Sequence, residues 1–352
     1  MSKMLEEIRQ QPDALARTLR GAMREARKLR ARFEQKRPRL VVLAARGTSD
    51  NAAQFGRYLI EIATGIPVSL AAPSVYTLYE SSLDVRDSVT VAISQSGEST
   101  DTNIVLERAR ASGSFTIGIT NEVDSSLAGL AEATFLVRAG REKSVAATKT
   151  YTGQLLILYL LAWALGARIA ENDLQGIPDL AAQALTLEPE IGERAQRYRF
   201  MDHAVAIGRG LNYANAFEFA LKLMETCYVV AERFSGADLM HGPIAMVERS
   251  FPVFVFAPAG VTWEGMRELT VKLDQLKAET LIITDRSNRE AADMRHAIVL
   301  PTRLAAKRHR PDELYTPIPY IIPAQLFAAC LADVKGLNPD QPRTISKITR
   351  TL

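Results

Sequence analysis

The chain has 352 residues, of which 47% are hydrophobic, enough to bury a sizeable core and long enough for about two domains. Its 43 basic and 40 acidic residues leave a formal charge of +3, too even a balance to argue for nucleic acid or a membrane surface as a partner. Cys227 and Cys330 show no CxxC spacing, and the His residues are scattered, so neither a metal site nor a disulfide framework is indicated. That cysteine usage fits a reduced cytoplasm.

In chain order, MSKMLEEIRQQPDAL has acids early and no apolar run, so it does not read as a signal peptide. Basic residues cluster in Arg20–Arg39, but Glu25 and Glu34 are interspersed and no aromatic residues interleave. That pattern reads as the solvated face of a helix rather than an RNA-binding arm. LVVLAAR (40–46) is a buried-strand pattern ending at Gly47, and TSDNAAQFGRYLIEIATG follows as a capped helix. DSVTVAI (87–93) is a second strand with its own helix from about Thr100. SFTIGIT (114–120) and ATFLVRA (133–139) complete the series. Strands alternating with helical patterns predict an α/β fold, a doubly wound, mostly parallel sheet flanked by helices. LLILYLLAWALG (155–166) falls short of the roughly 20 residues that span a bilayer and reads as a buried helix.

The second half repeats the first. HAVAIGRG (203–210) matches LVVLAARG at a shift of 163, VFVFAPAG (253–260) falls over TVAISQSG, and HAIVL (296–300) over ATFLV. ETLIITD (279–285) matches SFTIGIT within one residue. A near-constant shift across these landmarks implies a duplicated unit. The expected organisation is a helical arm at 1–30, one α/β unit at 31–170, a helical linker at 171–195, a second unit at 196–335 and a tail at 336–352.

Duplication singles out VAISQSGEST (91–100). SQSG in the first copy is APAG in the second, so the shared backbone requires the Gly but not the hydroxyls. A helix start beyond a parallel strand presents N–H groups and partial positive charge, and small hydroxyls beside a Gly let a phosphate approach closely. A helix cap would need one such residue, whereas Ser94, Ser96, Ser99 and Thr100 are present, and Gln95 adds an amide donor. Arg46-Gly47-Thr48-Ser49-Asp50 ends the neighbouring strand in the same way. No GxxxxGK[ST] occurs, which argues against nucleotide hydrolysis, and Gly208-Arg209-Gly210 lacks the third Gly of a dinucleotide fingerprint. A phosphorylated small molecule fits best.

EIRQQP near the start, RGTS (46–49), SQSGES (94–99), VAATKTY (145–151), ALKLMET (220–226), MHGP (240–243) and DQPRTISK (340–347) together carry a resemblance. The chain resembles the tandem sugar-isomerase (SIS) domain family, and within it the isomerase half of the glutamine–fructose-6-phosphate aminotransferases. The resemblance implies two SIS domains and a sugar phosphate held by Gly47, Thr48, Ser49, Ser94, Gln95, Ser96 and Ser99. It also implies that Val145 and Ala146 line the sugar site through their backbone. Ser99 stands where those synthases have Thr, and Ala147 replaces a common Ser. Those enzymes begin with a glutaminase unit whose N-terminal Cys is the nucleophile. No Cys precedes Cys227 here, so glutamine is not expected to be the ammonia source.

Moving a proton between C1 and C2 of a sugar needs one base that reaches both carbons. Glu225 is the candidate, on one helix face with Glu218 and Lys222, where Lys222 could hold the ionised Glu or meet a sugar oxygen. Among the four His, only His241 lies in a Gly-Pro turn, and it matches the family's ring-opening His. In the family that His comes from the neighbouring subunit, which implies a homodimer with shared sites. Lys347 matches a tail Lys that forms a Schiff base with the ketose carbonyl. The expectation is a cytoplasmic homodimer, without cofactor or metal, that deaminates glucosamine 6-phosphate to fructose 6-phosphate. A deglycase, another amino-sugar phosphate isomerase, or a sensor without catalysis are the alternatives.

Overall fold

The computed structural model describes residues 2–304 and 313–344. They form two compact units, one of residues 13–142 and 149–175, the other of residues 2–12, 143–148, 176–304 and 313–344. Each is built on its own five-stranded sheet.

The first sheet comprises β1 (Leu40–Ala45), β2 (Val68–Leu70), β3 (Ser88–Ile93), β4 (Phe115–Thr120) and β5 (Ala133–Leu136). The second comprises β6 (His203–Gly208), β7 (Val230–Ser235), β8 (Pro252–Phe256), β9 (Glu279–Asp285) and β10 (Ala297–Leu300). Every pairing is parallel. The strand orders are β2-β1-β3-β4-β5 and β10-β9-β8-β6-β7, the same order in both copies. The duplication seen in the sequence is therefore a duplication of topology. Central strands covered on both faces need apolar side chains throughout, and β3 is accordingly buried at every position.

Strands β2 and β7 escape the sequence pattern because one is too short and the other too solvated to show an apolar run. β2 has only three residues, and in β7 Val230, Glu232 and Arg233 are exposed. The predicted strand at 133–139 stops at Leu136.

The helix Lys149–Ala164 is buried along its whole length, as LLILYLLAWALG suggested. It packs on the helix Thr48–Thr64, where Phe55 meets Tyr159 edge-on at 5.1 Å and Gly56 lets Leu158 approach. The helix Pro317–Val334 is long and apolar enough to cross a bilayer, but 83% of it is buried. Phe327 there joins Phe219, Phe254 and Tyr198 in an aromatic cluster with ring separations of 4.9–5.9 Å. The sequence pattern does not mark this helix, because Pro317, Pro319 and Pro323 break the usual signature. The first two fall in the first turn, where no intrahelical N–H partner is needed. Residues 171–195, read as a linker, contain short helices, and Ile177–Leu185 and Glu188–Gln196 pack on Pro317–Val334.

Cys227 is fully buried, its thiol donates to the Ala328 carbonyl at 3.2 Å, and burial pushes it up to about 11. Cys330 is also pushed up to about 11, by burial first and then by the Glu188 and Asp333 carboxylates. Both thiols should therefore resist alkylation in the folded protein near about pH 8 and react once it is denatured. Rapid labelling of native Cys227, read by mass spectrometry, would contradict this packing.

Candidate active site

The order 2-1-3-4-5 has its topological switch point between β1 and β3, where a doubly wound sheet opens a crevice beyond its strand ends. Ala45 pairs with Ile93 at the last rung, so RGTS and SQSGES leave the sheet side by side. Both hydroxyl-rich segments found in the sequence thus border one crevice.

The loop after β3 is built by its own hydroxyls. Ser94 Oγ accepts from the Gly97 N–H at 3.1 Å, and Ser96 Oγ accepts from the Glu98 N–H at 3.2 Å. A hydroxyl that accepts in this way keeps its own O–H to donate. Ser99 is the N-cap of the helix Thr100–Ala111, yet its side chain makes no capping bond. Gly97 has φ +69°, and a Cβ there would lie 2.3 Å from Ser125 Oγ. The Gly conserved between the two copies of this chain is thus required by sterics, as the duplication implied. The Glu98 carboxylate accepts from the Ser126 N–H (2.8 Å) and hydroxyl (2.7 Å), and these bonds, the backbone one first, hold it below the usual carboxylate range.

The loop after β1 is held differently. Gly47 has φ +56° at the start of the helix Thr48–Thr64, and Ser49 is buried in its first turn. Ser49 Oγ accepts from Gln154 Nε2 at 2.9 Å. Arg46 reaches across to Asp101 at the first turn of the next helix, with Nη2 at 2.7 Å and Nε at 3.0 Å from one carboxylate oxygen. Asp101 is buried while the guanidinium is half exposed, which leaves a cation at the crevice. Neither Gln154 nor Asp101 carried a sequence signal; both are ordinary helix positions until the fold places them.

The second unit holds the remaining described candidates. In the helix Tyr213–Cys227, Lys222 Nζ lies 2.5 Å from Glu225 and 3.4 Å from Glu218. Lys222 and Glu218 are wholly buried, whereas Glu225 is 24% exposed. Of the two carboxylates that pair with Lys222, the accessible one is Glu225. Val145 and Ala146 lie in the loop before the helix Lys149–Ala164, with Ala146 fully buried. His241 ends the short helix Gly236–Met240 and is exposed, beside an exposed Met240 and a Gly242 at φ +143°. Lys347 and His309 lie outside the described residues.

The second sheet keeps the crevice geometry without the chemistry. Ile207 pairs with Val255, but the loop that follows β8 begins Ala257-Pro258-Ala259, where the first copy has hydroxyls.

Two parallel sheets of this order, with a hydroxyl-lined loop at only one switch point, define an α/β protein of duplicated sugar-isomerase type. The SIS domain matches residues 34–164 and 200–329, and the chain belongs to the SIS-domain family. It is 38% identical over 351 residues to the glutamine–fructose-6-phosphate aminotransferase (isomerizing) of Pyrococcus horikoshii, covering 98% of this chain and 57% of that one. The chain thus spans little more than half the length of such curated relatives. Among solved structures, the C-terminal domain of glucosamine-fructose-6-phosphate aminotransferase from Francisella tularensis superposes with a TM-score of 0.86 at 28% identity, covering 97% of this chain and 98% of that one. A glucosamine-6-phosphate deaminase from Thermotoga maritima shares the fold, with a TM-score of 0.76 at 22% identity, covering 99% and 100%.

Proposed function

We propose that this chain is an enzyme of sugar-phosphate isomerisation that deaminates glucosamine 6-phosphate to fructose 6-phosphate and ammonia. The observation that carries the reading is the pair of hydroxyl-rich loops flanking the switch point of the first sheet alone. A phosphate there would receive hydroxyl hydrogens from Ser94, Ser96 and Ser99 and the field of two helix N-termini. The aminotransferase relatives are named for fructose 6-phosphate, which supports the choice of substrate.

The chemistry follows from the remaining groups. His241 opens the ring by exchanging a proton at the ring oxygen. Glu225 removes the C2 proton and returns it at C1, which turns the amino-aldose into a C2 imine. Attack on that imine by the Lys347 amine expels ammonia, and water then releases the ketose. Glucosamine 6-phosphate plus water therefore gives fructose 6-phosphate plus ammonia. Lys222 holds the Glu225 carboxylate by an ion pair at 2.5 Å and so fixes where the base sits. An exposed His241 with exposed apolar neighbours suits a group delivered to a second subunit, so the functional form is read as a homodimer. Two free thiols suit the cytoplasm.

The test is ammonia and fructose 6-phosphate release from glucosamine 6-phosphate by the purified chain. Equal amounts of both are expected. Tight binding without release would move the reading to a deglycase or a sensor, and no binding at all would end it.

A further inference from the structure

EIRQQP, the motif nearest the N-terminus, has no place in the mechanism above, yet its residues converge on the sugar loop. Glu7 is 4% exposed, and its carboxylate accepts the backbone N–H groups of Lys143 and Ser144, the second at 3.1 Å. These are the residues directly before Val145 and Ala146. The other end of the loop is tied as well. Gln325 Nε2 donates to the Thr148 carbonyl at 3.4 Å, and Gln325 Oε1 accepts from Gln11 Nε2 at 2.9 Å. Gln11 and Gln325 are fully buried. The helix Lys3–Arg9 is itself anchored twice. Asp340, at the head of DQPR, accepts from the N–H groups of Lys3 and Met4 at 2.7 and 2.9 Å, and Arg9 pairs with Glu188.

We propose that Glu7 is a positioning residue for the sugar site, and that Glu7 and Gln11 together form a strut that fixes the backbone of residues 143–148. A loop that binds sugar through its backbone has no side-chain rotamers to adjust, so its shape must be set from outside. A buried carboxylate taking two amides does this, because charge-assisted bonds from both amides hold that backbone to the helix Lys3–Arg9. The proposal rests on the reading that Val145 and Ala146 line the sugar site.

The experiment compares wild-type chain, Glu7→Gln and Glu7→Ala. Amide hydrogen exchange is measured at 143–146, with KM and kcat for glucosamine 6-phosphate and its calorimetric Kd. Backbone contacts to the sugar act in ground and transition state alike, so the loss should fall on KM and Kd. Glu7→Ala should speed exchange at Lys143 and Ser144 and raise both constants by about tenfold or more, with kcat changed by less than about threefold. Glu7→Gln, which keeps one acceptor, should lie between, and it carries the test if the Ala variant does not fold. A lower melting temperature with unchanged KM, Kd and exchange at those amides would overturn the proposal while leaving the enzyme reading intact. A wild-type chain that neither binds nor turns over the sugar phosphate would overturn both.

Discussion

Glu225→Gln is expected to lower turnover of glucosamine 6-phosphate by about a thousandfold while sugar-phosphate affinity changes by less than about threefold, the size and split that loss of a general base produces. The ion-pair geometry makes this a clean variant. Removing one partner of a buried pair usually costs about 3–5 kcal/mol, because the other charge is stranded. Here Lys222 retains Glu218 at 3.4 Å, and a Gln oxygen can still accept from its ammonium. Folding should therefore be nearly unaffected. Lys222→Met is the contrasting case. It removes the buried ammonium that both Glu218 and Glu225 contact, and should destabilise the second unit by roughly 3–5 kcal/mol. Calorimetry on both variants, with ammonia release measured in parallel, separates chemistry from stability. A Glu225→Gln enzyme with unimpaired turnover would remove Glu225 from the mechanism.

Gly97→Ala should disrupt the proposed phosphate site. Two independent penalties act at this position. The left-handed φ of +69° strains any side chain by about 1–2 kcal/mol, and the new methyl would sit 2.3 Å from Ser125 Oγ and 2.4 Å from its Cβ. Ser125 cannot simply turn away, since its hydroxyl donates to the Glu122 carbonyl and caps the helix Ser126–Leu130. The loop must move, and with it the Ser94 and Ser96 hydroxyls that are aimed by backbone bonds within it. Affinity for the sugar phosphate should fall at least about a hundredfold, since roughly 3 kcal/mol of charge-assisted bonding is disrupted. Gly65→Ala, at the far end of the helix Thr48–Thr64, is the control for strain alone: its φ is +70°, but no atom lies within 4 Å of the added Cβ. Equal effects of the two variants would show that the Ser125 contact plays no part.

Much of the architecture was legible because parallel sheets have a strong signature. β1, β3, β4, β6, β8 and β9 are continuous apolar runs, and each is found where the pattern placed it. β2 and β7 were not, because three residues are too few to form a run and β7 carries exposed charged positions among its apolar ones. The helix Pro317–Val334 was hidden by three prolines, two of which its first turn tolerates. The hydroxyls of the first crevice could be singled out only because the chain contains its own control, the APAG of the second copy.

Local sequence thus decided the α/β class, the duplication, the segments that carry hydroxyls and the face shared by Glu218, Lys222 and Glu225. All of these depend on periodicity or on comparison within the chain, which need no knowledge of long-range contacts. Tertiary structure decided the rest. Asp101 steadying Arg46, Gln154 holding Ser49, and Glu7 taking the amides of Lys143 and Ser144 join residues separated by 55, 105 and up to 137 positions. A carboxylate or amide on a helix gives no local sign of which distant backbone it will satisfy. Only when the strand order sets β1 beside β3, and the N-terminal helix against the loop before Lys149, do these partners become defined.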